Sequence, residues 1–211
     1  YYQLLRKIAK TGKPIILSTG MSTLNEVIDS SSYIQKIWDK NLIKGKLTIL
    51  HCVSSYPTPI DQSNLGAINT LKSLGYPVGY SDHTIGNKAC TLAVALGAEV
   101  IEKHFTISKT KSDFRDHKLS ADPKQMKELI NEIRLIETAL GHGQKVPMEA
   151  EKNSIIQMRR SIFAKNDINK GQVLDLESLI ALRPGDGISA KYVDQLVDKR
   201  ANGLIHSGKK L

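Results

Sequence analysis

Four short apolar runs, starting near Pro14, Thr48, Val78 and Val100, constrain the fold of this chain more than any other feature. Each is only a few residues long and helical patterns lie between them, as expected of strands buried on both faces of a parallel sheet. The helical segments announce their starts. Thr23-Leu24-Asn25-Glu26 reads as a capping box ahead of Val27, Ile28, Ile34, Ile37 and Trp38. Asp122-Pro123 supplies an N-cap and a proline at the first helical position, followed by Met126, Leu129, Ile130, Ile133 and Ile136, with Gly141 as the stop. The order is therefore βαβαβαβα.

Four parallel strands do not close a barrel, because about eight are needed for side chains to fill the interior. The unit is either half of a (β/α)8 TIM barrel or a small open sheet. The residues just after the apolar runs favour the half barrel. Ser18-Thr19-Gly20, Ser54-Ser55-Tyr56-Pro57, Ser81-Asp82-His83-Thr84 and Glu102-Lys103-His104 place polar groups past every strand, which makes one polar rim. A doubly wound sheet instead gathers its ligand groups at one switch point, often with a Gly-rich phosphate loop, and no G-x-G-x-x-G or Walker pattern is present. The expected fold is α/β, with about four βα units over residues 1–140.

After Gly141 the character changes. Residues 141–158 read as a polar linker with Gly and Pro at its start. From residue 159 to 211 the apolar runs shorten: Ser161 to Ala164, a turn at Asn169-Lys170-Gly171, Val173-Leu174, Ala181-Leu182, and one short helix near Tyr192 to Val197. A module of about fifty residues has little core of its own and leans on a larger neighbour.

Composition removes several functions. The 30 Lys and Arg against 21 Asp and Glu give +9, which suits an anionic partner, but the basic residues are scattered and aromatics are only 5%, so a nucleic-acid surface is not expected. No apolar stretch approaches the roughly 18 residues that span a bilayer, and no signal-peptide pattern opens the chain, so a cytoplasmic protein that does not enter the membrane is expected. Cys52 and Cys90 show no disulfide or zinc spacing and fit small buried thiols in a reducing compartment. The chain begins at Tyr1, without an initiator Met, and opens inside a helical pattern (Leu4, Leu5, Ile8), so it reads as part of something longer.

The chemistry concentrates at His83 and His104, each where an apolar run ends. Imidazole at the carboxyl end of a barrel strand can hold a divalent metal over a substrate, although either histidine alone is more often an ordinary hydrogen-bonded surface or core residue. Two neutral imidazoles leave most coordination positions to water and substrate, the arrangement of a catalytic rather than a structural metal. Their spacing fits adjacent strands joined by a helix from about Gly86 to Leu96.

At Ile16-Leu17-Ser18-Thr19-Gly20-Met21, Leu50-His51-Cys52 with Tyr56-Pro57-Thr58-Pro59, Gly79-Tyr80-Ser81-Asp82-His83-Thr84, Ile101-Glu102-Lys103-His104-Phe105-Thr106, Asp116-His117 and Arg183-Pro184-Gly185-Asp186-Gly187-Ile188-Ser189, the chain resembles the sialic acid synthase family. That family includes N-acetylneuraminate, legionaminate and pseudaminate synthases. The resemblance covers nearly the whole length. It implies a TIM barrel that condenses phosphoenolpyruvate with an N-acyl amino sugar, followed by an antifreeze-like (SAF) domain that caps the partner subunit's barrel in a homodimer. It further implies that the strands here are the fifth to eighth of the barrel, and that the amino-terminal segments supplying a glutamate and lysines to the phosphoenolpyruvate site lie outside this sequence.

Residue by residue, the resemblance makes His83 and His104 ligands of Mn2+ or Mg2+, Ser81 a phosphate contact, and Tyr56 a neighbour of the sugar's acyl group. Ser54 stands where some relatives carry Asn and keeps a polar group for phosphate. Asp116 matches an active-site aspartate, and Arg183 the arginine that the capping domain sends into the partner's site. Asp82 could orient an imidazole, but Ser81 and Asp82 could equally cap the following helix. Glu102 and Lys103 point to opposite faces by strand alternation, so one of them serves packing. Two rival readings remain at this level: a metal-dependent barrel hydrolase using His83, His104 and Asp116, and a non-catalytic truncated fragment that only binds sugar or another subunit.

Overall fold

The computed structural model describes residues 1–110 and 114–211. The chain divides into two compact units, Tyr1–Gly143 and Gln144–Leu211.

The first unit is a four-stranded parallel sheet covered by helices. After α1 (Tyr2–Ala9) come β1 (Ile15–Ser18), α2 (Leu24–Lys40), β2 (Leu47–Cys52), α3 (Ala67–Lys72), β3 (Val78–Asp82), α4 (Lys88–Ala95), β4 (Val100–Lys103), α5 (Arg115–Leu119) and α6 (Pro123–Leu140). The strands lie side by side in chain order, all parallel. The expected capping box of Thr23 with Glu26 opens α2, and the expected N-cap Asp122 opens α6, where Gln125 completes a capping box that the sequence reading did not include; α6 stops at Gly141 with φ of 56°. Val27, Ser31, Ile34 and Trp38 make the buried stripe of α2, at helical spacing. They meet Ile15, Leu47, Ile49, Val78 and Tyr80 from the sheet. The Trp38 indole N–H donates to the Ala9 carbonyl (3.0 Å), satisfying the polar edge of a large buried ring.

Alternation sorts the sheet's side chains. Ile49, His51, Val78, Tyr80 and Asp82 turn towards the helices, while Leu50, Cys52, Gly79, Ser81 and His83 turn the other way. Gly79 has to be glycine, because a Cβ there would collide with the Val100 carbonyl and the Leu50 side chain.

The second unit contains α7 (Lys152–Met158), β5 (Ser161–Ala164), β6 (Leu179–Leu182) and α8 (Val193–Leu196). Strands β5 and β6 pair antiparallel, and single bridges join Phe163 to Lys210, Ile168 to Ile205 and Val173 to Arg200. Its core is Ile162, Ala164, Ile168, Leu174, Leu179 and Ala201. The stretch read as a linker differs from expectation: a 3-10 turn at Glu149–Glu151 runs into α7, and the Ile156 and Met158 carbonyls accept from the Gly185 amide (2.7 Å) and Arg183 Nε (3.1 Å). Helix α7 is only seven residues long, and its apolar residues Ile155, Ile156 and Met158 are too few to show a helical period in the sequence. Among the described residues no helix is long and apolar enough to cross a membrane.

Replacing Gly79 by alanine tests the close approach at the sheet centre. We expect Gly79→Ala to lower stability by about 1–3 kcal/mol, as forced overpacking does, seen as a lower urea midpoint at unchanged slope.

Candidate active site

The carboxyl ends of β2, β3 and β4 bring three rings together. Tyr56, in the loop after β2, lies 4.2 Å from His83 and 5.7 Å from His104, and the two imidazoles stand edge to face at 5.2 Å between centroids. His83 is buried, and its backbone carbonyl accepts from the Thr58 amide (3.0 Å). Its Nδ1 sits 2.8 Å from the Val53 carbonyl oxygen. A carbonyl only accepts, so Nδ1 carries the proton and Nε2 keeps a free lone pair.

That tautomer fits a divalent cation, because a ligating histidine characteristically donates its other ring nitrogen to a backbone or carboxylate oxygen. His104 is the second imidazole, with Nδ1 4.0 Å from the Asp116 carboxylate. The donor set is sparse: among the described residues no group of three His, Cys, Asp or Glu side chains is arranged to hold a metal. Two histidines alone would leave an ion mostly coordinated by water and substrate.

Behind the rings lies a buried ionic network that sequence reasoning resolved only in part. Lys103 Nζ meets Asp82 Oδ2 at 2.6 Å, with side chains 2% and 0% exposed. Lys103 also donates to the Thr84 carbonyl (3.0 Å). Asp82 accepts from the Thr84 amide (2.9 Å), the Tyr80 hydroxyl (3.1 Å) and the Cys90 thiol (3.1 Å). Burial opposes the Asp82 charge, but the hydrogen bond and charge of Lys103 outweigh it and hold the carboxyl below its usual range. Burial first, and then the Asp82 charge, push the Tyr80 and Cys90 protons towards higher pKa, so both remain donors.

Neither possibility considered for Asp82 holds. It is bonded to no imidazole, because alternation turns it to the helix side, and it does not cap α4, whose N-cap is Asn87. Ser81 does not cap that helix either. Its hydroxyl donates to Glu102 (2.6 Å) on the face that also carries His83. Of the Glu102 and Lys103 pair, Lys103 is therefore the one turned inwards to packing.

Ser54 sits half-buried beside Gly20, where a Cβ would collide with its hydroxyl. Burial pushes the Cys52 thiol up, which suits a structural rather than a nucleophilic sulfur. Asp116 lies in α5, next to His117, whose Nδ1 bonds the Thr106 hydroxyl (2.9 Å). Of the charged loop from Lys109 to Ser120, residues 111 to 113 lie outside the described residues. Arg183 belongs to the second unit, exposed at the end of β6.

The chain matches the NeuB family over residues 1–145 and the SAF domain over residues 159–209. It is 49% identical to an uncharacterized protein of Methanocaldococcus jannaschii over 95% of this chain and 58% of the relative. Against the N,N'-diacetyllegionaminic acid synthase of Campylobacter jejuni it is 43% identical, over 93% of this chain and 58% of the synthase. The crystal structure of the N-acetylneuraminic acid (sialic acid) synthetase of Leptospira borgpetersenii superposes with a TM-score of 0.67 at 41% identity, covering 72% of this chain and 52% of that one. The chain thus spans between half and three-fifths of the length of these relatives.

The network has a measurable cost if broken. Asp82→Ala leaves the Lys103 ammonium buried without its partner, and we expect a loss of about 3–5 kcal/mol in urea unfolding.

Proposed function

The chain belongs to the NeuB family, with a SAF domain after it, and we propose that it forms the carboxy-terminal part of a synthase that condenses phosphoenolpyruvate with an N-acyl amino sugar. The observation that carries the proposal is the cluster of Tyr56, His83 and His104, with the His83 tautomer set by the Val53 carbonyl. The product would be a nine-carbon 2-keto acid, released with phosphate. Relatives named for legionaminic and N-acetylneuraminic acid support the reaction class, and leave the choice among such sugars open.

His83 and His104 would hold Mn2+ or Mg2+. When bound, the ion supplies Lewis acidity to the open-chain aldehyde of the sugar. The third carbon of phosphoenolpyruvate bonds to the aldehyde carbon, water adds at the second carbon, and the phosphate leaves from it. In this reading the Ser54 hydroxyl contacts phosphate, and the Ser81 hydroxyl does so by turning away from Glu102, to which it otherwise donates. Tyr56 packs beside the sugar's acyl group and fixes its approach. The Asp116 carboxylate, near His104, takes a proton from the attacking water. The +9 charge would raise the local concentration of the anionic substrate.

We further propose a homodimer in which the SAF domain of one copy covers the barrel mouth of the other and delivers Arg183 to the N-acyl group. The exposure of Arg183 and of the neighbouring Leu182 supports a surface made to be covered. Free buried cysteines and the metabolite substrate support a cytoplasmic setting. The hydrolase reading is less favoured, because it needs a third metal ligand. A purely binding role leaves the clustered imidazoles without a task.

The deciding assay is phosphate release from phosphoenolpyruvate, with Mn2+ and a panel of N-acyl amino sugars, by the synthase of which this chain forms part. Release is expected only when metal and one sugar are both present, and release without any sugar would overturn the proposal. His83→Ala and His104→Ala should each abolish Mn2+ uptake and turnover. Arg183→Ala should raise the KM for the sugar about 10- to 100-fold, the loss of one charged hydrogen bond, with little change in the KM for phosphoenolpyruvate.

A further inference from the structure

We infer that Lys103 is a positioning residue that fixes the separation of His83 and His104, an inference that rests on reading those two as the metal-holding pair. Lys103 immediately precedes His104 in the chain. Its ammonium grips the residues on either side of His83: the Asp82 carboxylate at 2.6 Å and the Thr84 carbonyl at 3.0 Å. Asp82 in turn accepts from the Thr84 amide at 2.9 Å, which closes a ring of bonds around the His83 backbone. One side chain on β4 therefore ties down both flanks of the histidine on β3.

The backbone ladder does not reach that far. Pairing of β3 with β4 ends with Asp82 opposite Lys103, so both histidines lie beyond it. The Ser81 to Glu102 bond joins the other face one step earlier. Because the pair is buried, water does not compete for the ammonium, and the tie is a stiff one. It also keeps the Asp82 carboxylate engaged on the helix side, so a negative group next in sequence to His83 is not offered to an ion held by the imidazoles.

A purely structural pair would support the fold and leave metal binding alone, so the test separates the two. Lys103→Met alone strands a buried carboxylate. The informative variant is therefore D82N/K103M, in which no buried charge lacks a partner and an amide oxygen remains for the Thr84 N–H. Mn2+ affinity of the chain is read from the resonance signal of the free ion, beside a urea midpoint and the 15N spectrum of the imidazoles without metal. We expect a midpoint close to the unmodified chain, Mn2+ affinity weaker by about 10- to 100-fold, and displaced imidazole signals. A folded double variant with unchanged Mn2+ affinity overturns the inference while the metal reading stands. An unmodified chain that takes up no Mn2+ overturns both. Should the double variant not fold, D82N/K103Q removes both charges together while leaving polar ends for one another, and is read on the same three measurements.

Discussion

The register of β3 against β4 is the constraint on which the site depends. Ser81 lies opposite Glu102 and Asp82 opposite Lys103, so one pairing step places a polar contact on each face of the sheet. A slip of one residue would exchange the faces, turning Asp82 away from the helix layer and sending Ser81 and His83 into it. The ionic pair opposes that slip, since neither charge tolerates burial without the other. Electrostatics thus holds a geometry that the short β4, four residues long, holds weakly through backbone bonds alone.

Much of this was legible beforehand because it obeys local rules. The capping box at Thr23, the N-cap at Asp122, the four strands and the polar rim are each written in a few adjacent residues. Alternation stated that Glu102 and Lys103 part company, but could not say which went inside. The partner that decided it, Asp82, is twenty-one positions away and acts through a contact only the sheet creates. The role of Val53 was invisible for a different reason: it works through its carbonyl, which every residue possesses. Likewise α7 escaped notice because it is only seven residues long, so Ile155, Ile156 and Met158 are too few to show a helical period.

The two units solve the burial problem differently. The first fills its core with the large side chains of a helix layer, Trp38 and Ile34 among them, against β-branched strand residues. The second has two strands of four residues and relies on isolated bridges spread along the chain to close a small core around Ile162 and Ile168. With few regular hydrogen bonds, its polar backbone is satisfied by turns and loop contacts such as Ala164 to Lys209 and Ile168 to Ile205.

Strand order in the first unit matches chain order, which has a consequence for synthesis. Each strand after β1 finds its neighbour already delivered, so the sheet can grow as it is made. The second unit has no such luxury. Its strand β5 donates to the Lys209 carbonyl and accepts from the Leu211 amide, so the core around Ile162 stays open until almost the last residue of this sequence has emerged. A chain that ends near Gly203 would have these four strands paired and its second unit still unclosed, and that interval is when chaperones or proteases have most to act on.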